Sequence, residues 1–164
     1  MNRPEWKHLK TAMALNTGTL IPSFEGATDW IQEPIAQSSL FGQLTIVHFW
    51  AVSCPTCKAN LPELQRLIET HTQHGLKAVS IHMPRFEADT DVGKVMAAVK
   101  ELDLTGPCAV DNQHTIGDRF GVVAWPSYFL FDRECKLRSR AAGQLGIKMA
   151  TNSLARLISL EGTV

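Results

Sequence analysis

The chain has 164 residues, enough for one domain with a substantial core and too few to expect two. Apolar residues make up 45% of it and charged residues 20%, which excludes a disordered or fibrous chain. Sixteen acids balance sixteen bases with no basic block, so charge supplies no reason to expect nucleic acid or an anionic membrane surface as a partner.

The first thirty residues hold no apolar run of signal-peptide length, and Met1–His8 is polar and interrupted. No later stretch approaches a membrane span. A cytoplasmic protein is therefore expected, unless a leader has been removed. Gly18, Pro22, Gly26, Pro34 and Gly42 break the opening into short extended pieces. Residues 1–40 are expected to form an extension packed on the edge of a sheet.

Leu44–Trp50 is almost continuously apolar and rich in β-branched and aromatic types, the pattern of a strand covered on both faces. From Pro55 onward, Leu61, Leu64, Leu67 and Ile68 recur at helical spacing. Leu76–His82 predicts a second buried strand. Val92, Val95, Met96, Val99 and Leu102 line one face of another helix, and Cys108–Val110 is a short strand. After a helical turn near Ile116–Phe120, Ser127–Phe131 and Lys136–Arg140 predict a hairpin turning at Asp132, Arg133 and Glu134. Leu154, Leu157 and Ile158 mark a final helix. The order β-α-β-α-β followed by β-β-α predicts an α/β domain with a mixed sheet, and nothing resembling a linker or repeat divides residues 1–164.

Four cysteines in a cytosolic chain do not suggest a disulfide framework. Two are spaced Cys54-Pro55-Thr56-Cys57, directly after a strand and at the start of a helix. That placement puts Cys54 among free backbone N–H groups at the positive end of the helix dipole, where a thiolate is favoured. Pro55 fits the first helical turn because its missing N–H costs nothing there. The spacing lets the two sulfurs open and close a disulfide. The competing readings are a metal half-site and two core cysteines that happen to be close. A zinc site would need a second close Cys/His pair, which Cys108 and Cys135 do not offer. The strand–motif–helix context favours redox chemistry.

Phe49-Trp50-Ala51 ahead of the cysteine pair, with Pro62 five residues past the second cysteine, resembles the thioredoxin superfamily. The run from Phe120-Gly121-Val122 to Pro126-Ser127-Tyr128-Phe129-Leu130-Phe131-Asp132, and the added helix between the second and third core strands, resemble its TlpA/ResA-like branch. His48-Phe49-Trp50 and His82-Met83-Pro84-Arg85 are similar to the YkuV-type cytoplasmic oxidoreductases within it. The resemblance spans roughly residues 20 to 160.

It implies a thioredoxin fold, a central mixed sheet flanked by helices, with an N-terminal extension and an extra inserted helix. It implies a thiol–disulfide oxidoreductase exchanging electrons with protein disulfides through Cys54 and Cys57, without cofactor or metal. Its partners would be disulfide-containing protein substrates and an upstream reductant such as a thioredoxin reductase system. The family's cis-proline corresponds to Pro126; an edge-strand proline is the other reading. With the bond cis, the backbone at Trp125 would face an extended substrate, and Trp50, Pro55, Trp125 and Pro126 would form the substrate-binding surround.

The chain also departs from the family. The buried acid six residues before the first cysteine is replaced by His48, and the glutamate of ResA-type proteins three residues past the second cysteine by Asn60. His48, water or another group would then move the proton of the resolving thiol; a satisfied core histidine is the alternative for His48. Loss of the glutamate weakens any specific link to cytochrome c maturation. Pro62 is expected to kink the active-site helix. Cys108 is expected to be an inert core residue. Cys135 falls in a turn, where an exposed thiol open to intermolecular disulfides is the expectation.

Two other function classes compete. Peroxiredoxins share the fold and the string Val-x-Cys-Pro-Thr, but need Thr or Ser three residues before the cysteine and Pro seven before. Here those positions are Ala51 and Val47. A non-enzymatic thioredoxin-like binding module or metallochaperone commonly loses a cysteine or widens the spacing, and this chain does neither.

Overall fold

In the computed structural model, which describes residues 14–162, strand β2 (Thr45–Trp50) is buried at all six positions. That burial explains its uninterrupted apolar sequence, since both faces are covered instead of one. Ile46 and Trp50 point into one apolar layer, Val47 and Phe49 into the other.

The remaining elements follow in the expected order, with one strand added ahead of them inside the N-terminal extension. They are β1 (Asp29–Ile31), α1 (Pro55–His71), β3 (Lys77–His82), α2 (Val92–Glu101) and β4 (Cys108–Val110), then α3 (Thr115–Phe120), β5 (Ser127–Phe131), β6 (Leu137–Ala142) and α4 (Gly146–Glu161). The sheet runs β1-β4-β3-β2-β5-β6. Strands β2, β3 and β4 are parallel, whereas β1, β5 and β6 each run antiparallel to their inner neighbour. This is a thioredoxin fold, with α2 as the inserted helix.

Helices α1, α2 and α4 cover one face. Leu61, Leu64 and Leu67 of α1 bury against Val95, Val99, Tyr128, Ile147 and Leu154. Each such leucine contributes roughly 2 kcal/mol of transfer free energy. The other face is covered by α3, through Ile116 and Phe120, together with Ile21, Phe24 and Leu40. Pro62 lies inside α1, and the helix continues through it to His71.

The described part of the N-terminal segment lies along the sheet edges. Leu20 bridges to Lys136 beside β6, and Asp29–Ile31 pairs with β4 as the sixth strand at the far side of the sheet. Residues 1–13 of the expected extension, and 163–164, lie outside the described residues. The β5–β6 connection turns where expected. Asp132 Oδ1 accepts the N–H groups of Glu134 and Lys136, at 2.9 and 3.0 Å. Cys135 does not sit outside: it is fully buried at φ 59°, with its side chain in the apolar layer beside Ile21 and Leu137. The expectation of an exposed thiol is thus corrected, because the left-handed backbone turns that side chain inward.

Candidate active site

The carboxyl end of β2 leads through Ala51–Ser53 into α1, whose N-cap is Cys54 and whose first residue is Pro55. Sulfur occupies the place that a capping oxygen takes in other helices. Cys54 Sγ accepts the backbone N–H of Cys57 at 3.1 Å. A helix start leaves four N–H groups without intrahelical partners, and one of them is aimed at this sulfur. Cys54 and Cys57 are joined by a disulfide, with their α-carbons 5.3 Å apart. Both residues are only 2% exposed, whereas Pro55 beside them is open to solvent. Cys54 is therefore no more accessible than Cys57 in this oxidised state.

The second wall comes from β5. The ladder between β2 and β5 ends at Phe49 opposite Ser127, the residue directly after Pro126. The Trp125–Pro126 peptide bond is cis. Pro126 is buried and Trp125 half-buried. The indole Nε1 of Trp125 donates to Met83 O at 2.8 Å, and its ring lies 6.1 Å from that of His114. The side chain packs against both apolar layers, neither standing free nor sinking fully into the core.

Trp50, expected to meet substrate, is wholly buried. Its ring packs among the α1 and α4 residues and meets His82 edge-on at 4.9 Å. It supports the site from beneath and offers no surface to a substrate, so that expectation is corrected.

His48 is buried on β2, with Nδ1 3.0 Å from Ser80 Oγ and its ring stacked 6.0 Å from Tyr128. Burial lowers its pKa to about 3, so the imidazole is neutral near pH 7. Nε2 has no hydrogen-bond partner among the described residues, and the side chain lines a small cavity with Leu64, Gln65, Ser80 and Thr105. Asn60 donates from Nδ2 to Gln144 O at 3.2 Å, tying α1 to the loop ahead of α4.

Several site residues escape sequence reasoning. Ser53, Arg85 and Asp89 join the turn before Cys54 to the segment after β3: Ser53 Oγ donates to Asp89 Oδ2 at 2.7 Å, and Arg85 Nη1 to Ser53 O at 2.8 Å. Val52 N–H donates to His82 Nε2 at 3.1 Å. Burial lowers the His82 pKa to about 4, an effect that Asp89 partly offsets, so Nε2 remains an acceptor. Val123 (74% exposed), in the loop before Trp125, and Leu145 (64%), next to Gln144, present apolar surface. Sequence reasoning missed them because isolated loop residues carry no periodicity. Cys108 lies under the site, and burial pushes its thiol up to about 12, in line with an inert core cysteine. Ala51 and Val47, the positions that set aside a peroxiredoxin reading, are both fully buried.

A family model described as the AhpC/TSA family matches residues 17–140. Thiol-disulfide oxidoreductase YkuV of Bacillus subtilis is 34% identical over 140 residues, covering 85% of this chain and 94% of that protein. Thiol-disulfide oxidoreductase ResA of Bacillus thuringiensis is 27% identical over 131 residues, covering 79% and 72% respectively. Among solved structures, a thioredoxin-like protein in the oxidised form superposes with a TM-score of 0.78 at 33% identity, covering 87% of this chain and 96% of that one.

Proposed function

The chain belongs to the AhpC/TSA family as a thioredoxin-like thiol–disulfide oxidoreductase, and from that premise we propose that Cys54 and Cys57 reduce disulfides in protein substrates. The observation that carries the reading is the sulfur of Cys54 at the N-cap of α1, receiving a helix N–H while in disulfide reach of Cys57.

The reaction balances as two exchanges. Cys54 thiolate attacks one sulfur of the substrate disulfide, forming a mixed disulfide and releasing the other sulfur as a thiolate. Cys57 loses its proton and attacks Cys54, closing the Cys54–Cys57 bond and releasing the second substrate thiolate. The substrate gains two electrons and the enzyme loses two. A dithiol reductant of the thioredoxin reductase type then reverses the bond. Pro55, Trp125 and Pro126 form the substrate-facing surround in this reading, extended by the exposed apolar Val123 and Leu145. The proton leaving Cys57 passes to the substrate thiolate released in the first exchange, and His48, neutral in the core, has its hydrogen bond with Ser80 and not with either cysteine. A cytoplasmic setting belongs to the same proposal. No described helix is long and apolar enough to cross a membrane.

The test is insulin reduction by the purified protein with dithiothreitol as electron donor, beside consumption of hydrogen peroxide. Insulin reduction that vanishes in Cys54→Ala, with no peroxide turnover, supports the proposal. Peroxide turnover that survives Cys57→Ala contradicts it, because a peroxidase needs only the first thiol of this pair.

A further inference from the structure

We propose that Asp89 and Arg85 are positioning residues that grip Ser53 from both sides and thereby hold the Cys54 sulfur in place and tune its redox equilibrium. The inference rests on the reading of Cys54 as the attacking thiol.

The turn Ala51–Cys54 has little backbone structure of its own. Its one internal hydrogen bond runs from Cys54 N–H to Ala51 O at 3.0 Å. The helix start holds Cys54 through Cys57 N–H and Lys58 N–H, and segment 82–89 holds Val52 and Ser53 through side chains. Arg85 binds the Ser53 carbonyl, fixing the plane of the peptide that enters Cys54. Asp89 binds the Ser53 hydroxyl, and His82 binds the Val52 N–H. These are long-range ties, Ser53 and Asp89 being 36 residues apart, and no sheet ladder reaches this far along β2.

Asp89 is only 3% exposed, and a buried carboxylate is costly unless hydrogen-bonded. Its Oδ2 accepts from Ser53 Oγ, from Arg85 N–H at 2.9 Å and from Phe86 N–H at 3.3 Å. Two of those donors belong to its own loop. Only the Ser53 hydroxyl reaches across to the cysteine turn. One carboxylate oxygen therefore shapes the loop and joins it to the residue before the nucleophile.

The two groups also carry opposite charges one residue from Cys54. The reduced couple bears a thiolate and the disulfide is neutral, so a fixed cation beside Cys54 favours the dithiol and a fixed anion favours the disulfide. A fixed anion or cation at this range changes that balance by roughly threefold through a partly hydrated surface.

The experiment has two readouts on the full chain, with thermal unfolding as a check on each variant. In equilibrium with glutathione, Arg85→Met is expected to shift the Cys54–Cys57 couple about threefold toward the disulfide, and Asp89→Asn about threefold toward the dithiol. In single-turnover attack on insulin, Ser53→Ala and Asp89→Ala should each slow the reaction several-fold. Their double variant should be no slower than the worse single one, because both break the same link. Should Asp89→Ala fail to fold, Ser53→Ala, which removes the hydroxyl of this link and leaves the carboxylate in its own loop, carries the rate comparison alone. Equilibrium shifts of the same sign, unchanged attack rates or additive rate losses overturn the inference. A wild-type protein whose Cys54–Cys57 pair does not equilibrate with glutathione overturns the functional reading instead.

Discussion

The backbone N–H of Cys57 points at the sulfur of Cys54 from 3.1 Å, so the two ends of the redox pair are linked by a hydrogen bond as well as by the disulfide. When the disulfide opens, that N–H and the dipole of a 17-residue helix remain directed at Cys54.

The reduced protein should therefore show two unequal thiols at this site. Cys54 should react with iodoacetamide with a midpoint well below the ~8.5 of a free thiol, and Cys57 with a higher one. Rates measured by mass spectrometry across pH 4–10 decide it. Two midpoints near the free value would remove the helix-terminus argument.

The remaining cysteines should be silent. Cys108 and Cys135 are both buried, and neither faces a surface where another chain could reach it. Native oxidised protein should show no thiol reactive toward Ellman's reagent, and denaturation should release two. A dimer that resolves only under reduction and depends on Cys135 contradicts this.

Stability should fall early on acidification. His48 and His82 have folded pKa values of about 3 and about 4, below the ordinary 6.5. Between those values and 6.5 the unfolded chain binds protons that the folded one refuses, so stability is complete above pH 6.5 and lost as pH falls toward the folded values. The slope approaches about 1.4 kcal/mol per pH unit for each histidine near pH 5. Urea unfolding from pH 8 to 5 measures it, and His48→Gln should reduce the slope by about one proton. A stability independent of pH across that range rules out two neutral buried imidazoles.

Trp125 should influence protein substrates more than small ones. The residue is half-buried, stands directly before Pro126 and is tethered through its indole to Met83 O. Trp125→Phe should cost about 1 kcal/mol of stability through loss of that hydrogen bond. Trp125→Thr should slow insulin reduction more than reduction of a small polar disulfide. Equal changes in the two rates would show that the indole is only structural.

What the sequence makes legible here follows from how local each signal is. Strand β2, the motif and α1 are contiguous, and burial on both faces writes an apolar run straight into Cys54. Strand β1 is a three-residue edge strand among glycines and prolines, too short for alternation to show. Cys135 stands between Glu134 and Lys136, so its neighbours suggest solvent while its backbone, at φ 59°, turns the sulfur inward. Trp50 is indistinguishable in sequence from an exposed aromatic at a strand end; only the packing of α1 and α4 over β2 shows that it is sealed. The Ser53–Asp89 link has no sequence signature, because the fold alone brings together residues from two separate loops.

The central claim is that Cys54 attacks and Cys57 resolves, and covalent trapping tests it most directly. Cys57→Ser and Cys54→Ser variants would be expressed in cells, quenched with acid and separated without reductant. Cys57→Ser should accumulate mixed disulfides with several proteins through Cys54, each released by dithiothreitol, and Cys54→Ser should accumulate none. Trapping by Cys54→Ser with none by Cys57→Ser would contradict the assignment.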